Sequence, residues 1–185
     1  MKKILFNDKF CLTQAVLNGT KTMTRRLLKD NVPLGNWEET EKMLPYKIGE
    51  VVAVAQSYKD IGRHDIIGYK AYGQNMYEPI YAELSAGWNN KMFVKSEIMP
   101  CHIMITDVKV ERLQDISDDE CLKEGLRLSG NSRFYFQQMV ESNHFINRYF
   151  DTPREAFSVL IDKISGRGTW ESNPWVVVYS FELVD

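Results

Sequence analysis

Histidine and cysteine are scarce in this chain, and the few present are scattered. The three histidines (His64, His102, His144) and three cysteines (Cys11, Cys101, Cys121) include no CxxC pair and no metal-ligand spacing. That excludes a disulfide framework and gives no support to a zinc site; free thiols in a reducing cytosol are expected. Long hydrophobic runs are missing too. Lys2 and Lys3 precede only Ile4-Leu5-Phe6, too short for the apolar centre of a signal peptide, and no run reaches the length of a membrane span. A soluble cytoplasmic protein is expected, with no metal and no cofactor. Excess charge of one sign is also lacking. The formal net charge is -2, which argues against gripping a long duplex through the overall field but allows a local basic patch.

What is present is ordinary globular material. The 185 residues are 44% hydrophobic and 26% charged, enough for one domain, 1–185, with a proper core. Residues 4–6 read as a short strand and 9–18 as a helix, with Gly19 placed to follow its end. Residues 30–46 look like a loop carrying Glu38, Glu39 and Glu41. A buried strand is expected over 48–58 around Val51-Val52-Ala53-Val54. One or two hairpins or a loose insertion are expected over 59–92, where glycines and Asn89-Asn90 punctuate short apolar pieces. Residues 101–113 form the next strand, with one wet face or a bulge near Asp107. Ser117-Asp118-Asp119-Glu120 has the form of a capping box, opening a helix to about Glu124 that Gly125 ends. The aromatic-rich stretch 127–151 is partly helical in pattern. Thr152-Pro153-Arg154-Glu155 is a second capping box, for a helix carrying Phe157, Leu160, Ile161 and Ile164 on one side. The closing strand over 174–184 is apolar on both faces at first, as in a central strand. Strands without regular crossover helices point to an α+β or small-barrel fold.

One segment does not read as core. Residues 20–30 hold four cations (Lys21, Arg25, Arg26, Lys29) and three threonines (Thr20, Thr22, Thr24). Folding alone does not call for that mixture. It is either a solvated edge or a holder of an anionic or polar ligand.

Gly19-Thr20-Lys21-Thr22-Met23-Thr24-Arg25 resembles the GxKxxTxR signature of ASCH domains, which belong to the PUA-like barrels. Three further blocks agree in order: Ile48-Gly49-Glu50-Val51-Val52; Val108 to Ser117 followed by Glu124-Gly125-Leu126; and Asn173-Pro174-Trp175-Val176 through Phe181. The last is similar to the long versions common in bacteriophages and prophages. The resemblance implies an α+β, PUA-like small mixed β-barrel with a few short flanking helices and two insertions, roughly 59–92 and 127–151. It also implies a cleft for RNA, a nucleotide or a modified nucleoside. Where long members often carry an arginine and a glutamate before an aromatic, this chain has Ala55-Gln56-Ser57-Tyr58. Glutamine hydrogen-bonds a base or an amide but does not titrate.

Small members of the family include acetylcytidine amidohydrolases, and some members are described as ribonucleases. By motif position, the lysine, threonine and glutamate of the amidohydrolases correspond to Lys21, Thr24 and Glu124. A threonine hydroxyl needs a base to take its proton, and a lysine serves as that base only when burial or nearby cations lower its pKa. Glu124, in the last turn of a short helix, would have its charged form disfavoured by the dipole, as a general acid requires. In an ideal strand Lys21 and Thr24 point to opposite faces, so joint action requires the segment after Gly19 to be coiled. The expected ligand-binding set is Lys21, Thr22, Thr24, Arg25, Arg26, Gln56, Tyr58 and Trp175. Each has a plainer reading. Lys21 and Glu124 are ordinary solvated residues, Thr24 bonds a turn, Arg25 and Arg26 pair with Glu38, Glu39 or Glu41, and the aromatics, Trp170 included, are core. Binding is the first expectation. An amidohydrolase or ribonuclease is the alternative, and a phage or prophage accessory protein acting through protein contacts is the third.

Overall fold

The valine-rich segments meet in one five-stranded sheet. The computed structural model describes residues 1–74, 76–141 and 144–185; Asn75, Ser142 and Asn143 lie outside the described residues. Its strands are β1 (Lys3–Ile4), β2 (Met23–Leu27), β3 (Val51–Val54), β4 (Ile66–Ala71), β5 (Tyr77–Tyr81), β6 (His102–Arg112), β7 (Arg127–Leu128), β8 (Phe134–Glu141), β9 (His144–Phe150) and β10 (Trp175–Leu183). The main sheet runs β1-β3-β6-β10-β2. Only β1 and β3 are parallel; the other pairs are antiparallel. β10 is central, as its two apolar faces predict, and Val176, Val177, Val178 and Tyr179 are almost wholly buried.

The α+β class holds, but the sheet is not closed into the expected barrel. β1 and β2 stand at its two ends. β1 contributes only two residues, too short a ladder to close on β2. A side chain bridges the seam instead: Arg26 Nη2 donates to the Leu5 carbonyl at 2.7 Å.

The bulge expected near Asp107 is present. Ser180 faces Asp107 and Phe181 faces Ile105, so Thr106 is the extra residue. Three other expectations need correction. The helix placed at 9–18 is a 3-10 turn (Asp8–Phe10) followed by α1 (Leu12–Leu17), because Cys11 at φ 56° interrupts it. The loop placed at 30–46 contains α2 (Trp37–Met43), whose Asn36 cap accepts from the Glu38 N–H. The stretch 127–151 is not helical: β7, β8 and β9 form a three-stranded antiparallel sheet. Its inner face alternates through Phe134, Phe136 and Gln138, the period of a strand. The 59–92 stretch does contain a hairpin, β4–β5.

Two helices fix the geometry near β2. α3 (Asp118–Lys123) begins with the full reciprocal capping box of Ser117 and Glu120. α4 (Pro153–Ser165) begins with Thr152 accepting from the Glu155 N–H and with proline in its first turn. The bond back from the Glu155 side chain, the other half of a capping box, is absent among the described residues. α5 (Thr169–Ser172) follows. The core joins Ile4, Phe6 and Val16 to Ile103, Ile105, Leu113, Phe136, Leu160 and Tyr179.

Candidate functional site at the open seam

Gly19 sets the site's first side chain. At φ 73° it follows α1, with the Gly19 N–H bonded to Val16 O and the Thr20 N–H to Ala15 O, both at 2.9 Å. This 6→1 and 5→2 pattern is the Schellman motif, which favours glycine at the left-handed position. The chain turns there, Lys21 N–H also bonds Ala15 O, and Thr22 N–H bonds Lys123 O. Lys21 and Thr22 therefore precede the strand, which starts at Met23. The coiled segment is present for two residues and becomes extended by Thr24.

Lys21 turns inward and is 2% exposed. Its Nζ donates to Glu124 Oε2 at 2.6 Å and to the Glu124 carbonyl at 2.7 Å. Gly125, at φ 102°, leaves room for this stem: a Cβ there would sit 3.5 Å from Lys21 Cδ and 3.2 Å from a Leu12 methyl. Arg25 reaches the same carboxylate from β2, its Nη1 lying 3.2 Å from Glu124 Oε1. Its Nη2 also contacts Glu111 and Glu120 at 2.7 Å each, and Lys109 closes the network through both acids. Three cations (Lys21, Arg25, Lys109) thus meet three carboxylates (Glu111, Glu120, Glu124), which lets so much charge sit under cover.

Burial pushes the Lys21 ammonium below its ordinary pKa; Glu124 offsets part of this, and Arg26 and Arg25 add to it. Burial works against Arg25 as well, but Glu124, Glu111 and Glu120 outweigh it and its pKa rises. Burial also works to raise the Glu120 pKa. The bonds from Lys109 and the Ser117 backbone, with the charges of Arg25 and Lys109, prevail and bring it to about 2.

Along the free edge of β2 lies a cavity of about 520 Å³, within the range of small-molecule sites. Asn7, Lys21, Thr24, Arg25, Arg26, Lys29, Glu124 and Ser165 supply its polar lining, with four cations against one carboxylate. Leu5, Phe6, Leu28, Phe157, Leu160 and Val177 supply apolar wall. Residues of both β2 faces reach this edge. Thr24 lies opposite Tyr179 and Arg26 opposite Val177, while Arg25 lies opposite Val178. The Phe6 ring is within 6.0 Å of both Lys21 Nζ and the Arg26 guanidinium. Arg26 Nε is buried with no partner among the described residues.

The structure therefore brings Lys21, Thr24 and Glu124 to one cavity, although only Lys21 and Glu124 are bonded. Among the described residues Thr24 makes no side-chain hydrogen bond to either. Arg25 and Arg26 line the same space and do not pair with Glu38, Glu39 or Glu41. Thr22 is not in its lining. Gln56, Tyr58 and Trp175 stand elsewhere. Gln56 lines a different cavity, which also takes in Gln137. Tyr58 is buried in a small second core with Ala82 and Val94. Trp175 carries the Arg112 guanidinium 4.5 Å above its ring. Sequence reasoning missed Glu111, Glu120 and Lys109 as site components. Only part of their signal is local: Lys109 and Glu111 alternate on the polar face of β6, and Glu120 reads in the sequence as a cap alone.

The cysteines are free, and burial pushes the Cys121 thiol up to about 12. Among the described residues no cluster of three metal-ligating side chains occurs, and no helix is long and apolar enough to cross a membrane.

Comparison with known proteins adds little. No family model and no curated protein matches the chain. Among solved structures, the ASCH domain from Lactobacillus crispatus JV V101 is similar over 93% of this chain and 69% of that one, at 13% identity and a TM-score of 0.36. A likeness that remote carries no weight here; the site's own geometry does.

Proposed function

We propose that this chain is an ASCH-type, PUA-like domain that binds a nucleotide, a modified nucleoside or a short RNA in the cavity along β2. One observation carries the reading: four cations and Thr24 share a largely apolar cavity with a single carboxylate. The apolar walls suit a base, and Arg26 with the exposed Lys29 suits a phosphate, since a guanidinium fork bonds two oxygens at once. Lys21 and Arg25 are held by carboxylates, so they shape the site and fix its field more than they neutralise a ligand. The test is titration with cytidine 5′-monophosphate, N4-acetylcytidine and short RNA at low salt. Saturable binding that weakens in Arg26→Ala supports the reading, and its absence for every probe rejects it.

A second reading has its own observation. Lys21 is buried beside Glu124, its pKa is lowered, and Thr24 lines the same space. An amidohydrolase acting on an acylated nucleoside needs these parts: Thr24 as nucleophile, Lys21 as base once its proton has passed to Glu124, and Glu124 as acid. Hydrolysis of N4-acetylcytidine by the wild type that disappears in Lys21→Ala supports these roles; activity that survives rejects them. The third reading, action through protein contacts, draws on the β4–β5 hairpin, where Tyr69, Tyr72 and Tyr77 are all more than 60% exposed.

A further inference from the structure

We infer that the chain carries a second ligand site, for an uncharged nucleobase, in the cavity between α1 and the β8–β9 sheet. This cavity measures about 550 Å³. It is distinct from the one along β2, and the segment 5–17 contributes to the walls of both: Leu5, Phe6, Asn7 and Leu12 to the first, Asp8, Cys11, Thr13, Gln14 and Leu17 to the second.

Three features define the chemistry. First, Gln56 is 7% exposed, and its Oε1 has no partner among the described residues. Its Nε2 makes no hydrogen bond among them either, so turning the amide over leaves the inner atom equally alone. A buried polar group without a partner costs stability, of the order of 1–3 kcal/mol, and the residue that carries it lines the cavity wall. Second, the lining is amide- and acid-rich: Gln14, Gln56 and Gln137 with Asp8 and Asp60, and no lysine or arginine among the described residues. Asp60 uses one carboxylate oxygen on the Ser57 N–H and hydroxyl, at 3.0 and 2.7 Å; its other oxygen accepts no bond among the described residues. Third, β8 and β9 present an apolar cover. Met139 and Phe145 are cross-strand partners, and Phe145 is 44% exposed.

Amides pair with the adjacent donor and acceptor on a base edge, a carboxylate accepts its ring or exocyclic N–H, and an aromatic ring stacks on its face. Asp8 is already paired with Lys91 Nζ at 2.7 Å, which also bonds Thr13 Oγ1 at 2.9 Å, so Asp60 carries the lining's uncompensated charge among the described residues, and that charge disfavours a phosphate. The chemical class is therefore an uncharged base or nucleoside, and the inference does not depend on what the β2 cavity holds.

The test is calorimetric titration of the whole chain with guanosine, adenosine, cytidine and uridine, and with guanosine 5′-monophosphate as the charged counterpart. The variants are Gln56→Leu, Gln137→Ala and Lys21→Ala, each also followed by thermal unfolding. At least one nucleoside is expected to bind saturably and more tightly than the monophosphate. Gln56→Leu is expected to weaken that binding about tenfold or more, the loss of one to two hydrogen bonds, without lowering the unfolding temperature, because it removes an orphaned polar group. Gln137→Ala, at a half-buried position, is expected to weaken binding without unfolding the protein. Lys21→Ala alters the β2 cavity and reports whether the nucleoside sits there instead. Failure of all four nucleosides to bind, binding that survives both glutamine substitutions, or binding lost only in Lys21→Ala overturns the inference. That last result places the nucleoside in the β2 cavity.

Discussion

Lys21 and Glu124 are 103 positions apart in sequence, and their charged groups lie 2.6 Å apart behind almost complete cover. The chain thereby ties the turn before β2 to the end of α3, and the pair sits on the wall of the cavity along β2. Glu124 serves two cations, whereas Lys21 finds one carboxylate and one carbonyl. The two ends of the pair are therefore not equivalent.

That asymmetry predicts unequal costs. Glu124→Ala leaves Lys21 buried without a counter-charge and is expected to cost about 3–5 kcal/mol. Lys21→Met leaves Glu124 still bonded to Arg25 and is expected to cost less, about 1–2 kcal/mol. Urea midpoints for the two variants check this; equal costs, or a larger one for Lys21→Met, contradict it.

Acid should act through Glu120. Its pKa is about 2 in the folded chain against 4.5 for an unperturbed glutamate. A lowered carboxylate pKa means stability present above 4.5 and lost as pH falls toward 2, because the unfolded chain binds the proton first. The slope of stability against pH in that window should flatten in Glu120→Gln. An unchanged slope would show that the network with Arg25 and Lys109 is not populated in solution.

Alkali should act in the opposite sense through Lys21. Its folded pKa is lowered from 10.5, so between the two values the unfolded chain holds more protons, and Lys21's contribution to stability rises with pH. Lys21→Met removes that rise. Comparing urea midpoints of the two proteins at steps approaching pH 10.5 tests it, and parallel curves would contradict the lowered pKa.

Much of the frame was legible in the sequence. The cap at Ser117, the central strand at Trp175–Leu183 and the bulge at Thr106 follow from local chemistry: a serine three residues before a glutamate, a doubly apolar run, and a break in alternation at Asp107. The basic threonine segment stands out in the sequence as unlike core, and Lys21, Thr24, Arg25, Arg26 and Lys29 of it line one cavity. The rest depends on distant partners. The 127–151 stretch looked partly helical because its aromatics fit either period, and pairing of β8 with β7 and β9 decided for strand. Glu111, Glu120 and Lys109 join the network around Arg25 only because β10 alone separates β6 from β2 and α3 packs against β2. Gln56 was expected at the ligand of the basic segment, but the end of β3 carries it to the opposite side of α1.

Gly125 should resist substitution for two reasons that add. Gly125→Ala places a Cβ at φ 102°, where L-residues are strained, and 3.2 Å from a Leu12 methyl. The expected cost is about 2–4 kcal/mol, measured by denaturant unfolding, together with weaker ligand binding because Lys21 Cδ is the next contact. Wild-type stability in this variant would show that α3 ends differently in solution.

The central claim is that the cavity along β2 is the ligand site. Backbone amide chemical shifts followed by NMR during titration with cytidine 5′-monophosphate at low salt test it most directly. The account predicts saturable shifts at Thr24, Arg26 and Leu28 that disappear in Arg26→Ala. No shift in this segment while residues elsewhere respond, or no response anywhere, would contradict it.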